Sequence, residues 1–142
     1  MRGNFIALTL IFVVLAGGCT PSRPSALQTT NRTSGITGTV QSVVISGVRG
    51  GETLRRPASI EFAIAPLEGD RPQYRRATFV KSDSDGKFKV ELPAGAYWIG
   101  SKAKALDPVN YAPDAVVFSE VQVTVTAGAF STVELLETGY AP

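Results

Sequence analysis

Hydrophobic positions follow two regimes along this 142-residue chain. Near the start they are nearly continuous: Phe5 to Ala16 (FIALTLIFVVLA) is apolar but for Thr9, with Arg2 before it and Gly17 and Gly18 after it. Beyond residue 36 they alternate with polar ones. Ile60, Phe62 and Ile64 share one parity, and Phe88, Val90 and Leu92 share another against Lys87, Lys89 and Glu91. Val121, Val123 and Val125 alternate with Gln122, Thr124 and Thr126, and Val133 with Leu135 repeats the pattern. Strand side chains point to opposite faces in turn, so a period of two predicts strands with one apolar face. Seven such segments are expected, over residues 36–46, 58–65, 75–82, 86–92, 96–105, 116–126 and 130–137, punctuated by Gly, Pro, Asp and Asn. In the first, the apolar parity slips between Val40 and Val43, which predicts a bulge near Gln41 and Ser42. No segment carries a helical period.

Seven short strands that are apolar on one face bury that face by stacking two sheets. The expected fold is therefore all-β: a seven-stranded antiparallel β-sandwich with Greek-key or crossover links, ahead of a closed barrel. On the 96–105 strand, Tyr97 and Ile99 are expected to point into the sandwich, leaving Trp98, Lys102 and Lys104 on the opposite face. An exposed indole beside two ammonium groups has the chemistry to stack on a sugar ring or hold an acidic partner. A loop or the N-terminal tether lying over the indole is the other outcome. Trp98, Lys102 and Lys104 are the candidate binding residues.

Composition narrows the chemistry further. The chain has no histidine, so no Ser-His-Asp triad, Cys-His dyad or His-ligated zinc can be assembled from it. No nucleophile elbow replaces them, and no catalytic residues and no cofactor are expected. Asp83, Asp85 and Gly86 resemble part of a calcium loop, but aligning Gly86 to its sixth position puts Lys81 first and Leu92 twelfth, where carboxylates are needed. That stretch reads as a turn, and no metal site is expected. Charge is uneven: residues 19–105 hold thirteen Lys or Arg against seven acids, whereas 106–142 hold five acids and no basic residue. Such a domain is able to dock head to tail or to sit on anionic headgroups.

The apolar run of 5–16 is shorter than the roughly 20 residues a spanning helix needs and matches the core of a secretory signal peptide. Leu15-Ala16-Gly17-Gly18-Cys19 resembles the bacterial lipobox, in which the cysteine becomes the mature N-terminus and carries a diacylglyceryl thioether. The resemblance implies a signal peptide over 1–18, lipidation at Cys19, and a membrane-anchored protein of the bacterial cell envelope, at the outer membrane if the cell has two. Two or three acyl chains suffice for stable anchoring. Residues 20–35 (TPSRPSALQTTNRTSG) have linker composition and are expected to tether the domain of 36–142. Cys19 is the only cysteine, so its lipidation leaves no disulfide to staple the mature chain.

The stretch Ser82-Asp83-Ser84-Asp85-Gly86-Lys87-Phe88-Lys89-Val90-Glu91-Leu92-Pro93-Ala94-Gly95-Ala96-Tyr97-Trp98-Ile99 resembles the signature of carboxypeptidase regulatory-like domains. Weaker matches lie at Pro57–Phe62 and at Val123–Gly128 leading into Val133–Leu135. The resemblance implies a transthyretin-like (prealbumin-like) sandwich with a binding or structural role and brings no catalytic residues. The transthyretin-like hydrolases use histidines and a Tyr-Arg-Gly-Ser ending, which this chain lacks. The expected protein is a non-catalytic, lipid-anchored sandwich whose partners are the membrane and another envelope protein or a glycan, with no nucleic acid among them. The alternative is a carbohydrate-binding module working through Trp98.

Overall fold

The computed structural model describes residues 33–47, 53–113 and 116–141. Residues 1–32, where the signal peptide, the lipidated Cys19 and most of the tether are expected, lie outside the described residues. Among the described residues ten strands form in chain order: β1 (Gly35–Ser46), β2 (Thr53–Pro57), β3 (Glu61–Glu68), β4 (Arg71–Pro72), β5 (Thr78–Lys81), β6 (Lys87–Glu91), β7 (Gly95–Ser101), β8 (Val116–Phe118), β9 (Val121–Val125) and β10 (Phe130–Ala141). A 3-10 turn at Tyr74–Arg76 and one short helix, α1 (Lys102–Leu106), interrupt them.

The strands build two sheets of five. Sheet I runs β2-β1-β10-β8 with β6 also on β1, and sheet II runs β4-β3-β7-β9 with β5 also on β3. They stack as the all-β sandwich that the alternation predicts. One ladder is parallel, however: β1 lies beside β10 from Gly35 opposite Phe130 to Ser46 opposite Ala141. The first and last strands of the domain thus close its centre.

The core follows the parity of the sequence. Phe62 and Ile64 of β3, Phe88 of β6, Tyr97 and Ile99 of β7, Val125 of β9 and Leu135 of β10 are buried with Ile36 and Val40 of β1, and Val90, Leu92, Val121, Val123 and Val133 pack on them. Phe62 meets Phe88 edge-on at 4.8 Å and stacks on Phe118 at 5.9 Å between centroids. Ser82, a buried polar residue, is satisfied: its hydroxyl donates to the Ala58 carbonyl at 2.7 Å and accepts from the Ile60 amide at 2.9 Å.

Several details differ from the sequence expectation. β1 keeps one unbroken register with β10, so it carries no bulge there. Where the parity slips, its other edge changes partner, from β6 along Gly35–Thr39 to β2 along Gln41–Ile45. At the switch the Val40 amide donates to the Gly86 carbonyl at 2.6 Å, and the Val40 carbonyl accepts from Ala58 at 3.1 Å. Gly86 holds a φ of +73° there, and a Cβ would strike the Val40 carbonyl, so the position requires glycine. The 116–126 segment is two strands in different sheets, broken at Ser119-Glu120. The 75–82 segment yields only β5, because residues 74–76 turn instead. Residues 102–106 are helical rather than extended: Ser101 caps α1 by accepting from the Lys104 amide at 3.1 Å, and Asp107-Pro108 ends it.

Candidate functional site

The outward face of sheet II is where the sequence places its candidate residues, and there the backbone does as expected. Tyr97 and Ile99 enter the core, and Trp98 points the other way, opposite Ala65 on β3 and Gln122 on β9. Of the two outcomes open for the indole, exposed or covered, the ring is covered: Trp98 is 3% exposed. It lies in a second, smaller core with Ala63, Ala65 and Ala105, bordered by Leu67, Tyr74 and Ala77. Small residues on β3 leave room for the ring, and Gly100 lets it lie flat, since a Cβ at Gly100 would clash with the indole. α1 and the 74–76 turn then close over it, with the Tyr74 ring edge-on at 5.1 Å.

The indole's polar edge is also engaged. Trp98 Nε1 donates to Glu120 Oε2 at 3.2 Å, and Lys104 Nζ donates to both oxygens of the same carboxylate at 2.6 and 2.8 Å. The hydrogen bond to Glu120 raises the Lys104 ammonium above its ordinary pKa, against the opposing effect of burial. Lys104 and Trp98 are therefore brought together, but as partners of one carboxylate. Lys102 goes elsewhere: its Nζ donates to Glu61 Oε2 at 2.6 Å and sits 5.6 Å from the centre of the Phe79 ring. With the indole covered and both ammonium groups engaged, the three residues form no open platform for a sugar ring.

Tyr74 and Glu120 are the members that sequence reasoning missed. The available signal was Ser101 ahead of Lys-Ala-Lys-Ala-Leu and then Asp-Pro, a capped run of good helix formers that carries Lys104 back over the strand. Glu120 is reached only through the β8–β9 break, which has no local signature.

An open cleft of about 310 Å³ is lined by residues of both sheets, among them Ile60, Glu61, Lys102, Tyr111, Phe118 and Glu137. Its charged groups are the Glu61–Lys102 pair and the Glu137 carboxylate. Among the described residues no group of three His, Cys, Asp or Glu side chains is placed to hold a metal ion. Cys19 lies outside the described residues.

No protein-family model matches the chain. No curated protein sequence matches it either. Among solved structures, the chain is similar to GBS52, the minor pilin of the Gram-positive pathogen Streptococcus agalactiae, at 18% identity and a TM-score of 0.45. The match covers 78% of this chain and 46% of the pilin, so this chain spans about half the length of that structure.

Proposed function

We propose that this protein is a non-catalytic β-sandwich of the bacterial envelope, held to a membrane by lipid on Cys19, with a structural or binding role. One observation carries the reading: an apolar run of signal-peptide length that ends in Leu15-Ala16-Gly17-Gly18-Cys19, the chain's only cysteine. The linker composition of residues 20–35 supports it, since a lipidated N-terminus needs a hydrophilic spacer between bilayer and domain. The lack of histidine and the engagement of the candidate residues with one another support a role without turnover. Residues 82–99 support a carboxypeptidase regulatory-like, transthyretin-like assignment of the sandwich. The tight Asp85-Gly86 turn, closed by Asp83 accepting from the Asp85 and Lys87 amides at 2.9 and 2.7 Å, suits that motif.

The test is Cys19→Ala in the full chain, followed by membrane fractionation and intact-mass measurement. The reading expects the wild type in the membrane fraction with the mass of a diacylglyceryl adduct, and the variant without the adduct. An unmodified wild-type cysteine would overturn it.

A further inference from the structure

The fold turns the charge asymmetry along the sequence into one across the molecule. Residues 106–142, with five acids and no Lys or Arg, supply β8 and β9, which edge the two sheets on one flank, and β10, which lies next to β8. The opposite flank is β2 and β6 of sheet I with β4 and β5 of sheet II. β2 concentrates its positive charge: all five residues are exposed, two are Arg55 and Arg56, and none is acidic. Among the described residues neither arginine has a carboxylate within ion-pair distance, and neither Glu134 nor Glu137 of β10 has a cation within it.

A second, independent feature runs between the same two flanks. β1 and β10 are twelve residues long, against eight or fewer for every strand of sheet II, so sheet I overhangs. On the overhang, Leu54, Val44, Gly139 and Val116 stand opposite one another in a single row across β2, β1, β10 and β8. The row shares the parity of the core residues Val40 and Leu135, yet Leu54, Val44 and Val116 are 48%, 38% and 44% exposed. Its two ends are the two edge strands of sheet I. Among the described residues each edge strand has a side with no strand partner, the ordinary template for strand addition.

We propose that copies of this chain join side by side, the β2 edge of one against the β8 edge of the next. Sheet I then continues from copy to copy. Leu54 extends the apolar row from Val116 of its neighbour, and Arg55 and Arg56 come to the flank that carries Glu134 and Glu137. The partner is a second copy in head-to-tail orientation, because a symmetric β2-to-β2 contact would oppose arginines to arginines. A heterologous contact does not saturate in a pair, so it builds rows or rings. The inference does not depend on lipidation of Cys19.

The test is native mass spectrometry of the full chain in neutral detergent at low ionic strength, with two charge-reversed variants, Arg55→Glu/Arg56→Glu and Glu134→Lys/Glu137→Lys. The wild type is expected to show dimers and larger species that recede as salt rises. Each variant alone is expected to associate at least ~10-fold more weakly, and an equimolar mixture is expected to regain association in alternating composition. Leu54→Ser, at an exposed position, is expected to weaken association while leaving charge unchanged, and far-UV circular dichroism confirms that each variant is folded. A wild type that stays monomeric at about 0.1 mM would overturn the proposal. So would association untouched by all three variants, which would place the contact elsewhere, or variants that fail to complement when mixed.

Discussion

The two outward faces of the sandwich meet solvent differently. On sheet I, Lys87, Lys89, Thr132 and Glu134 stand exposed beside half-buried Thr37 and Thr39, and Lys89 covers the Phe130 ring at 4.4 Å. On sheet II, Ala63, Ala65 and Trp98 form an apolar outward face that is sealed by α1 and the 74–76 turn. The strands of both sheets alternate, but on sheet II the centre of the outward face is closed to water, while Phe79, Gln122 and Thr124 at its margins stay exposed. Alternation says which residues share a face; whether that face is solvated depends on what the neighbouring segments place over it. On β7 the sealing segment is the chain's own continuation, five helical residues long, and its cost is low because Ser101 caps it and Ala105 fits the space above β3.

The sharpest way to break this contrast is to remove matching positions on the two faces. Trp98→Ala should destabilise the domain by about 3–5 kcal/mol, as loss of a large buried aromatic does. Thr39→Ala on the open face should change stability by no more than about 0.5 kcal/mol. Urea titration of both variants tests the pair, and equal midpoints would mean that the faces are equivalent. Next in size, Gly100→Ala forces a methyl group into the indole and should cost about 1–3 kcal/mol by overpacking. Because Trp98 is the only tryptophan, the same variant should shift the emission to longer wavelength.

Much of this arrangement was legible beforehand. The residues at 60–64, 88–92, 121–125 and 133–135 announce their inward faces through side chains alone, and the opposed directions of Tyr97 and Trp98 follow from the same rule. β2 did not announce itself, because Thr-Leu-Arg-Arg-Pro is exposed throughout and an edge strand needs no apolar face. The parallel β1–β10 ladder joins residues about a hundred positions apart in the sequence and leaves no local trace. The cover over Trp98 needed both the helix signal at Ser101 and the position of Glu120, and only the first is written locally.

The smallest expected effect concerns the polar edge of the sealed face. Lys104→Met should cost no more than about 1 kcal/mol, since the pair is partly solvated. Its pH dependence has a definite sign. The folded pKa of Lys104 is raised by Glu120, so the stabilisation is fully present below the unfolded value of ~10.4 and is lost as pH climbs through the folded one. Stability measured by urea titration across that alkaline range should fall more steeply for the wild type than for Glu120→Gln, and identical slopes would show that the pair is not formed.

The most direct measurement is the fluorescence of the native full chain, with acrylamide as quencher. A tryptophan enclosed by Tyr74, Ala63, Ala65 and Ala105 emits well to the blue of the urea-unfolded chain and is quenched much more slowly, and a broad panel of oligosaccharides leaves its intensity unchanged. Native emission at the unfolded wavelength with free quenching, or saturable quenching by a glycan, would contradict a sealed sheet II.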